Sequence, residues 1–312
     1  MMETTHSYLR VPYDLRPAKQ VERRMFIEAL QYLSTMGYPI KSYQYTGFGS
    51  VYFVDFIMFH KLLGICKMWS VEYDDKIRKR VKFNQPFRCV DVKLGPIADF
   101  IPLLPRRAKH LLWLDYDSSV TDEHLQDLWM AAASLPCGSL LLVTVDAEPP
   151  VKPGGPAEWR DYFREEAARF LGTHNRPEDF VESRLISIAR DVLSNAIDSG
   201  LVGRGLEYIP LFSFSYADGH EMLTIGGMIG TQMDRDKVQA LGTQLDYIRP
   251  DRKAEPYRIH VPRLTQKERL YLDKAMPART RWELKEFELP TELVAAYKRL
   301  YRYLPHYGEL VF

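Results

Sequence analysis

The chain has 312 residues, enough for one large domain or two modest ones with a buried core. Its formal net charge is +1 with 27% charged residues, so it lacks the overall positive charge of proteins that bind nucleic acid over their whole surface. No apolar segment approaches the ~20 residues of a membrane span, and the first residues lack the apolar core of a signal peptide. We therefore expect a cytoplasmic protein without membrane contact.

The three cysteines, Cys66, Cys89 and Cys137, lie in or beside predicted strands. Their spacing matches no common metal-binding motif. Thiols of cytosolic proteins usually stay reduced, so we interpret the three as reduced thiols of the protein core.

The first predicted element is a helix over 16–36, with a proline near its start and Gly37 after its end. Three of its cations, Arg16, Lys19 and Arg23, precede the rest of the fold. They form either a solvent-exposed helix face or a phosphate-binding group above a ligand cleft. Both interpretations stay open from the sequence.

Residues 40–72 predict one strand–turn–helix–strand unit. The first strand ends at Tyr45, and a turn containing Gly47 and Gly49 leads into a helix over 51–63. The second strand ends in Glu72. Glycines at such a turn let the backbone approach a ligand and leave the helix N-terminus facing a polar group. An acid about 20 residues later can accept hydrogen bonds from two ribose hydroxyls. The unit therefore predicts a site for a nucleoside-containing cofactor.

Strands and helices alternate from residue 74 to residue 146. The strands are continuously apolar, which is typical of a parallel sheet covered by helices on both faces. Acids follow two of them, Asp115 and Asp117 after the fourth strand and Asp146 after the fifth. In chain order the predicted elements are a basic helix over 74–83, a strand over 87–94, a helix over 97–104, a strand over 110–114, a helix over 122–133 and a strand over 139–145.

The pattern changes after residue 147. A mostly helical insert covers 157–201, and two strands over 206–216 and 221–229 form a hairpin. The predicted organisation is an N-terminal helical segment (1–39), a central domain (40–230) that contains the insert, and a C-terminal appendage (231–312).

Five strand–helix steps followed by a hairpin resemble the class I, Rossmann-like S-adenosylmethionine-dependent methyltransferases, over residues 40–230. The resemblance implies an α/β fold with a doubly wound, seven-stranded sheet. It also implies that the last strand, 221–229, inserts antiparallel between its neighbours. S-adenosylmethionine is the implied cofactor.

The resemblance implies roles for individual residues. The turn glycines match the family's loop under the methionine portion of the cofactor, and the acid after the second strand matches its ribose ligand. Asp115, Tyr116 and Asp117 fall on the motif that faces the transferred methyl and are the candidate catalytic residues. One of the two acids would act as base or would orient the acceptor, and Tyr116 would line the methyl channel. The implied cofactor contacts are Tyr45, Gly47, Phe48, Gly49, Glu72, Tyr73, Gly95, Pro96, Ile97 and Asp115.

The stretches 112–117 and 143–147 also resemble the divalent-metal-dependent O-methyltransferases. Those enzymes carry an acid after the fourth strand and Asp-Asn after the fifth. Here the acids are Asp115 and Asp146, and Ala147 replaces the asparagine. Two carboxylates at neighbouring strand ends could hold Mg²⁺ beside a substrate hydroxyl. The favoured alternative is a metal-free site in which they bind backbone amides or substrate.

The predicted function is methyl transfer to an oxygen or nitrogen of an acceptor, with the protein aligning donor and acceptor. The candidate substrate-binding residues are Arg16, Lys19, Arg23 and Asp146, whose three cations favour a phosphate-bearing acceptor, nucleic acid included. The alternative is a catalytically weakened binding or regulatory module. It is indicated by Tyr45, which stands where the family has an acid, and by Val51, which replaces its third glycine.

Overall fold

The computed structural model describes residues 15–172, 176–279 and 282–306. Its strands are β1 (Gln44–Gly47), β2 (Lys67–Glu72), β3 (Val90–Leu94), β4 (His110–Asp115), β5 (Ser139–Asp146), β6 (Glu207–Ala217), β7 (Glu221–Gly230) and β8 (Tyr257–Ile259). Its α-helices are α1 (Pro17–Thr35), α2 (Val54–Leu63), α3 (Arg78–Asn84), α4 (Ile97–Phe100), α5 (Asp122–Ser134), α6 (Pro156–Ala167), α7 (Glu182–Leu201), α8 (Gln232–Gly242), α9 (Gln266–Lys274) and α10 (Thr291–Leu300).

The strands form one sheet in the order β3-β2-β1-β4-β5-β7-β6-β8. The first five strands pair in parallel. Strand β7 runs antiparallel between β5 and β6, so the predicted antiparallel insertion is confirmed. The predicted number of seven strands is wrong, because β8 pairs in parallel with the outer edge of β6. The three residues after Pro256 form no apolar run that would predict a strand. They become a strand because they pair with the otherwise unpaired edge of β6.

Helices cover both faces of the sheet, as predicted for a doubly wound fold. Successive side chains of a strand point to opposite faces. Along β4, Leu111 and Trp113 pack into a layer that includes α1 and α2, whereas Leu112 and Leu114 pack into a layer that includes α5 and α7. The continuous apolar sequence of β4 is therefore the consequence of burial on both faces.

Two helix boundaries differ from the prediction. The helix after the glycine turn begins at Val54 rather than at residue 51, because Ser50 and Phe53 both have φ of +51° and extend the turn. The basic segment over 74–83 divides into a 3₁₀ turn (Asp75–Ile77) and α3. The helical insert consists mainly of α6 and α7.

The C-terminal segment packs on the same core as the N-terminal helix. Tyr257, Tyr297 and Leu300 belong to the layer that includes α1, and Tyr297 is 1% exposed. The division of the chain at residues 39 and 230 stays a prediction. Among the described residues, no helix has the length and apolar composition needed to cross a membrane.

Candidate active site

A cavity of about 540 Å³ lies beyond the carboxyl ends of the first four strands. Ligands of open α/β sheets bind at this edge of the sheet, near the point where the strand order reverses. Here that point is β1, which lies between β2 and β4. Predicted site residues that line the cavity are Phe48, Gly49, Glu72, Tyr73, Gly95, Pro96, Ile97, Asp115, Tyr116, Asp117 and Arg23.

Two predicted cofactor contacts, Tyr45 and Gly47, lie beneath the cavity wall. Tyr45 is fully buried, and its hydroxyl donates a hydrogen bond of 3.2 Å to Asp55 Oδ2. A Cβ atom on Gly47 would lie 2.6 Å from the Tyr45 hydroxyl and 3.1 Å from the Trp113 carbonyl oxygen. Both residues therefore support the turn from below.

Gly49 lines the cavity, and it is also required by the packing of the turn. A Cβ atom there would lie 2.3 Å from Ser70 Oγ and 2.8 Å from the Phe53 ring. Real Cβ atoms do not approach so closely, so only glycine lets the turn lie against β2. A larger residue at this position would displace the turn before it met a ligand.

The acid after β2 is held in a defined position at the cavity. Glu72 Oε1 accepts a hydrogen bond of 3.1 Å from the Asp74 amide, and the Glu72 carbonyl oxygen accepts one of 3.0 Å from the Gly95 amide. Gly95 has φ of +132°, a conformation that favours glycine. The loop after β3 is thereby tied to the end of β2, and the two together form one wall.

A buried ion cluster lies under the end of β4. Lys19 Nζ lies 2.7 Å from Asp115 Oδ1, 2.8 Å from Glu22 Oε2 and 3.3 Å from Thr144 Oγ1, and its side chain is 0% exposed. Burial alone would raise the pKa of Asp115, but the Lys19 ammonium lowers it overall, with help from Arg23 and Arg16. Asp115 is therefore held ionised at the cavity wall.

Arg23 brings a second buried cation to the cavity. Its Nε donates to Asp55 Oδ1 at 2.5 Å, and its Nη1 is buried without a hydrogen-bond partner among the described residues. A buried, unpaired donor on a charged group is costly unless a ligand accepts from it. This atom is therefore free to donate a hydrogen bond to a ligand or to water beside Asp55.

Three further residues of the cavity form a cluster that includes two residues the sequence analysis did not identify. The Tyr116 hydroxyl donates to Asp127 Oδ2 at 2.7 Å, and the Tyr116 ring stacks on His124 with centroids 3.8 Å apart. Burial raises the pKa of Asp127 to about 6 and lowers the pKa of His124 to about 4. The sequence feature that could have identified His124 and Asp127 is their i, i+3 spacing in the first turns of α5, the helix that follows Asp115–Asp117.

The two groups should give the protein opposing pH dependences. Between about pH 4 and 6 the folded protein keeps a proton on Asp127 that the unfolded chain has lost, so this group lowers stability as pH rises. Between about pH 4 and 6.5 the unfolded chain keeps a proton on His124 that the folded protein lacks, so this group raises stability as pH rises.

Replacing one group should expose the contribution of the other. Over this pH range, the free energy of unfolding of Asp127→Asn should rise more steeply with pH than that of the parent. That of His124→Gln should rise less steeply or should fall. Each change of slope is bounded by about 1.4 kcal/mol per pH unit and is reduced by solvent screening. Urea unfolding at several pH values measures the slopes, with exposed Asp91→Asn as control. Parallel curves for all four proteins would contradict the assignment.

The remaining predicted substrate residues do not line this cavity. Lys19 is beneath its wall, Arg16 Nε lies 4.0 Å from Asp218 beside a second cavity, and Asp146 Oδ1 accepts from the Glu148 amide at 2.8 Å. Asp115 lines this cavity whereas Asp146 lines another, and the Lys19 ammonium already contacts Asp115 and would repel a cation. The arrangement favours the metal-free alternative.

The chain matches a protein-family model described as "Putative O-methyltransferase" over residues 11–312. No curated protein matches its sequence. Similar solved structures include an O-methyltransferase from Bacillus cereus in complex with SAH, at 11% identity and a TM-score of 0.41 over 71% of this chain and 86% of that chain. Another is Trm1 from Pyrococcus horikoshii with S-adenosyl-L-methionine, at 10% identity and a TM-score of 0.44 over 70% of this chain and 57% of that chain. Both scores lie below 0.5, whereas the family model spans almost the whole sequence, and the chain therefore belongs to this O-methyltransferase family.

Proposed function

We propose that the protein transfers a methyl group from S-adenosylmethionine to an acceptor oxygen positioned beside Asp115. The observation that carries the proposal is the cavity at the carboxyl edge of the sheet, with Glu72 at the end of β2 and Asp115 at the end of β4. Membership of an O-methyltransferase family supports the reaction class and favours oxygen over nitrogen as the acceptor atom.

The residues present fit this cofactor. The cavity volume lies within the about 300–1,000 Å³ that is usual for small-molecule sites. Glu72 offers a fixed carboxylate for two ribose hydroxyls, and the loop around Pro96 and Ile97 offers apolar contact for the base. Arg23 offers a cation for the carboxylate of the methionine portion.

The sulfonium supplies an already activated methyl group, so the protein mainly has to align the acceptor. We propose that Asp115 accepts a hydrogen bond from the acceptor hydroxyl and stabilises the positive charge that develops on its oxygen. The lowered pKa of Asp115 makes it a weak base, which suits it to orientation more than to proton removal. The proton of the acceptor hydroxyl would pass to Asp117, the other candidate, which also lines the cavity, or to water.

The cations around the cavity support a small acceptor rather than a polyanion. Of the three predicted substrate-binding cations, only Arg23 lines the cavity. Lys19 forms ion pairs with the buried carboxylates, and Arg16 lines the second cavity. A single cation can bind one anionic group. This favours a small hydroxyl-bearing acceptor over a nucleic acid.

Titration of the protein with S-adenosylhomocysteine tests the proposal directly. Calorimetry should detect saturable binding at one site per chain. Absence of binding would contradict the proposed function. Binding without methyl transfer to any tested hydroxyl compound would favour the binding or regulatory module instead.

Arg23→Lys is expected to weaken S-adenosylhomocysteine binding roughly tenfold, about 1.4 kcal/mol. Lysine keeps the positive charge beside Asp55 but loses the second donor, which is the atom without a partner. The matched control is Arg24→Lys on the same helix, since Arg24 donates to the Leu304 carbonyl oxygen and does not line the cavity. If Arg23→Lys binds S-adenosylhomocysteine as tightly as the parent, Arg23 does not contact the cofactor and would instead be assigned to acceptor binding.

A further inference from the structure

Three metal-binding side chains meet at the edge of the sheet opposite to the cavity. His60 lies in the last turn of α2, Cys66 directly precedes β2, and Cys89 directly precedes β3. One ligand atom of each, His60 Nδ1, Cys66 Sγ and Cys89 Sγ, lies within 4.8 Å of the other two. Cys66 and Cys137 are exposed, so the prediction of core thiols is wrong for these two, whereas Cys89 is half-buried and packs against the core.

The two distances from the imidazole nitrogen to the sulfur atoms are those of a tetrahedral zinc site. His60 Nδ1 lies 3.6 Å from Cys66 Sγ and 3.6 Å from Cys89 Sγ. A tetrahedral ion with Zn–S bonds of about 2.3 Å and Zn–N bonds of about 2.0–2.1 Å separates its sulfur and nitrogen ligands by about 3.6 Å. An ion could therefore bind all three atoms once the Ile65 carbonyl oxygen, which lies 2.8 Å from His60 Nδ1, moves aside.

The surroundings hold two of the three ligands in place. The Cys89 carbonyl oxygen accepts from the Met68 amide at 3.1 Å, where β2 and β3 begin to pair, and the His60 ring packs on Phe87 with centroids 4.4 Å apart. Without an ion, His60 Nδ1 donates to the Ile65 carbonyl oxygen at 2.8 Å. An ion would replace this proton, which moves to Nε2.

We propose that His60, Cys66 and Cys89 bind one Zn²⁺ ion, with water as the fourth ligand on the exposed side of Cys66. Two thiolates and one imidazole bind zinc in preference to magnesium or calcium. The site would fasten the C-terminal end of α2 to the start of β2 and of the edge strand β3. The zinc site shares no residue with the methyl-transfer site, which lies at the carboxyl ends of these strands.

Cobalt is the spectroscopic probe for the site. The reduced full-length protein should bind one equivalent of Co²⁺ and develop a thiolate-to-cobalt charge-transfer band, which one equivalent of Zn²⁺ should abolish. Cys66→Ser and Cys89→Ser should each lose the band, and His60→Gln should weaken Co²⁺ binding at least about tenfold. Cys137→Ser is the matched control and should keep the band, because this exposed cysteine lies 3.8 Å from Asp234 on another part of the surface.

Three results would overturn the proposal: no band in the reduced parent, a band that survives Cys66→Ser, or a band that requires Cys137. The first of these results would include a protein that forms a Cys66–Cys89 disulfide on oxidation but binds no Co²⁺ when reduced. Of the two cysteine variants, Cys66→Ser should disturb folding less, because Cys66 is exposed. Unchanged circular dichroism and S-adenosylhomocysteine binding of Cys66→Ser would show that the loss belongs to the metal site.

Discussion

Replacing Lys19 with methionine is expected to lower the free energy of unfolding by about 3–5 kcal/mol. The Lys19 ammonium lies 2.7 Å from Asp115 and 2.8 Å from Glu22, and neither the Lys19 nor the Glu22 side chain is exposed. Methionine fills similar space without the charge, so Glu22 would lose its neighbouring cation and Asp115 would keep only the influence of Arg23 and Arg16. Removing one member of a buried ion cluster costs far more than the cluster itself contributes.

Guanidinium unfolding at neutral pH measures this loss. Arg302→Met is the matched control, because Arg302 pairs with Glu28 at 2.7 Å but its side chain is 61% exposed. We expect that variant to lose at most about 1 kcal/mol. Adding Glu22→Gln to Lys19→Met should recover part of the loss, since one unpaired charge is removed. Equal losses in Lys19→Met and Arg302→Met would contradict the buried cluster.

The order and direction of the main strands could be predicted because their signals are local. Each of β4 and β5 is a continuous apolar run, and the turn at 217–220 fixes the hairpin of β6 and β7. The glycine turn and the acid after β2 have a fixed spacing that follows from one strand–helix–strand unit. These features depend on neighbouring residues, so one sequence is enough to read them.

The fate of the cations could not be predicted, because it depends on contacts between distant parts of the chain. Arg16, Lys19 and Arg23 lie within two turns of one helix, yet they contact Asp218, Asp115 and Asp55. Sequence periodicity gives the helix face of a residue but not the acid that faces it. A lysine at 0% exposure also contradicts the usual preference of that residue for the surface.

The His60–Cys66–Cys89 cluster could not be predicted for the same reason. Its ligands come from the end of a helix and from the starts of two strands, so their spacing along the chain resembles no local metal motif. Parallel pairing of β2 with β3 brings the two cysteines together. Short edge strands such as β8 likewise depend on a partner that lies far away in the sequence.

Glu72→Ala is expected to weaken S-adenosylhomocysteine binding about ten- to hundredfold, a loss of about 1–3 kcal/mol. The carboxylate lies at the carboxyl end of β2, lines the cavity, and is oriented by the Asp74 amide at 3.1 Å. Charge-assisted hydrogen bonds to two ribose hydroxyls would be lost together. Calorimetric titration gives the change in affinity.

Glu72→Gln separates the charge from the position of the side chain. Glutamine keeps an oxygen that can accept from the Asp74 amide, so the loop should stay in place while only the charge is lost. We expect its affinity to lie between those of the parent and of Glu72→Ala. Asp91→Ala, which removes an exposed acid of the neighbouring β3 outside the cavity, should bind like the parent. If Glu72→Ala also binds like the parent, the ribose does not lie at the end of β2, and the cofactor must be oriented differently in the cavity.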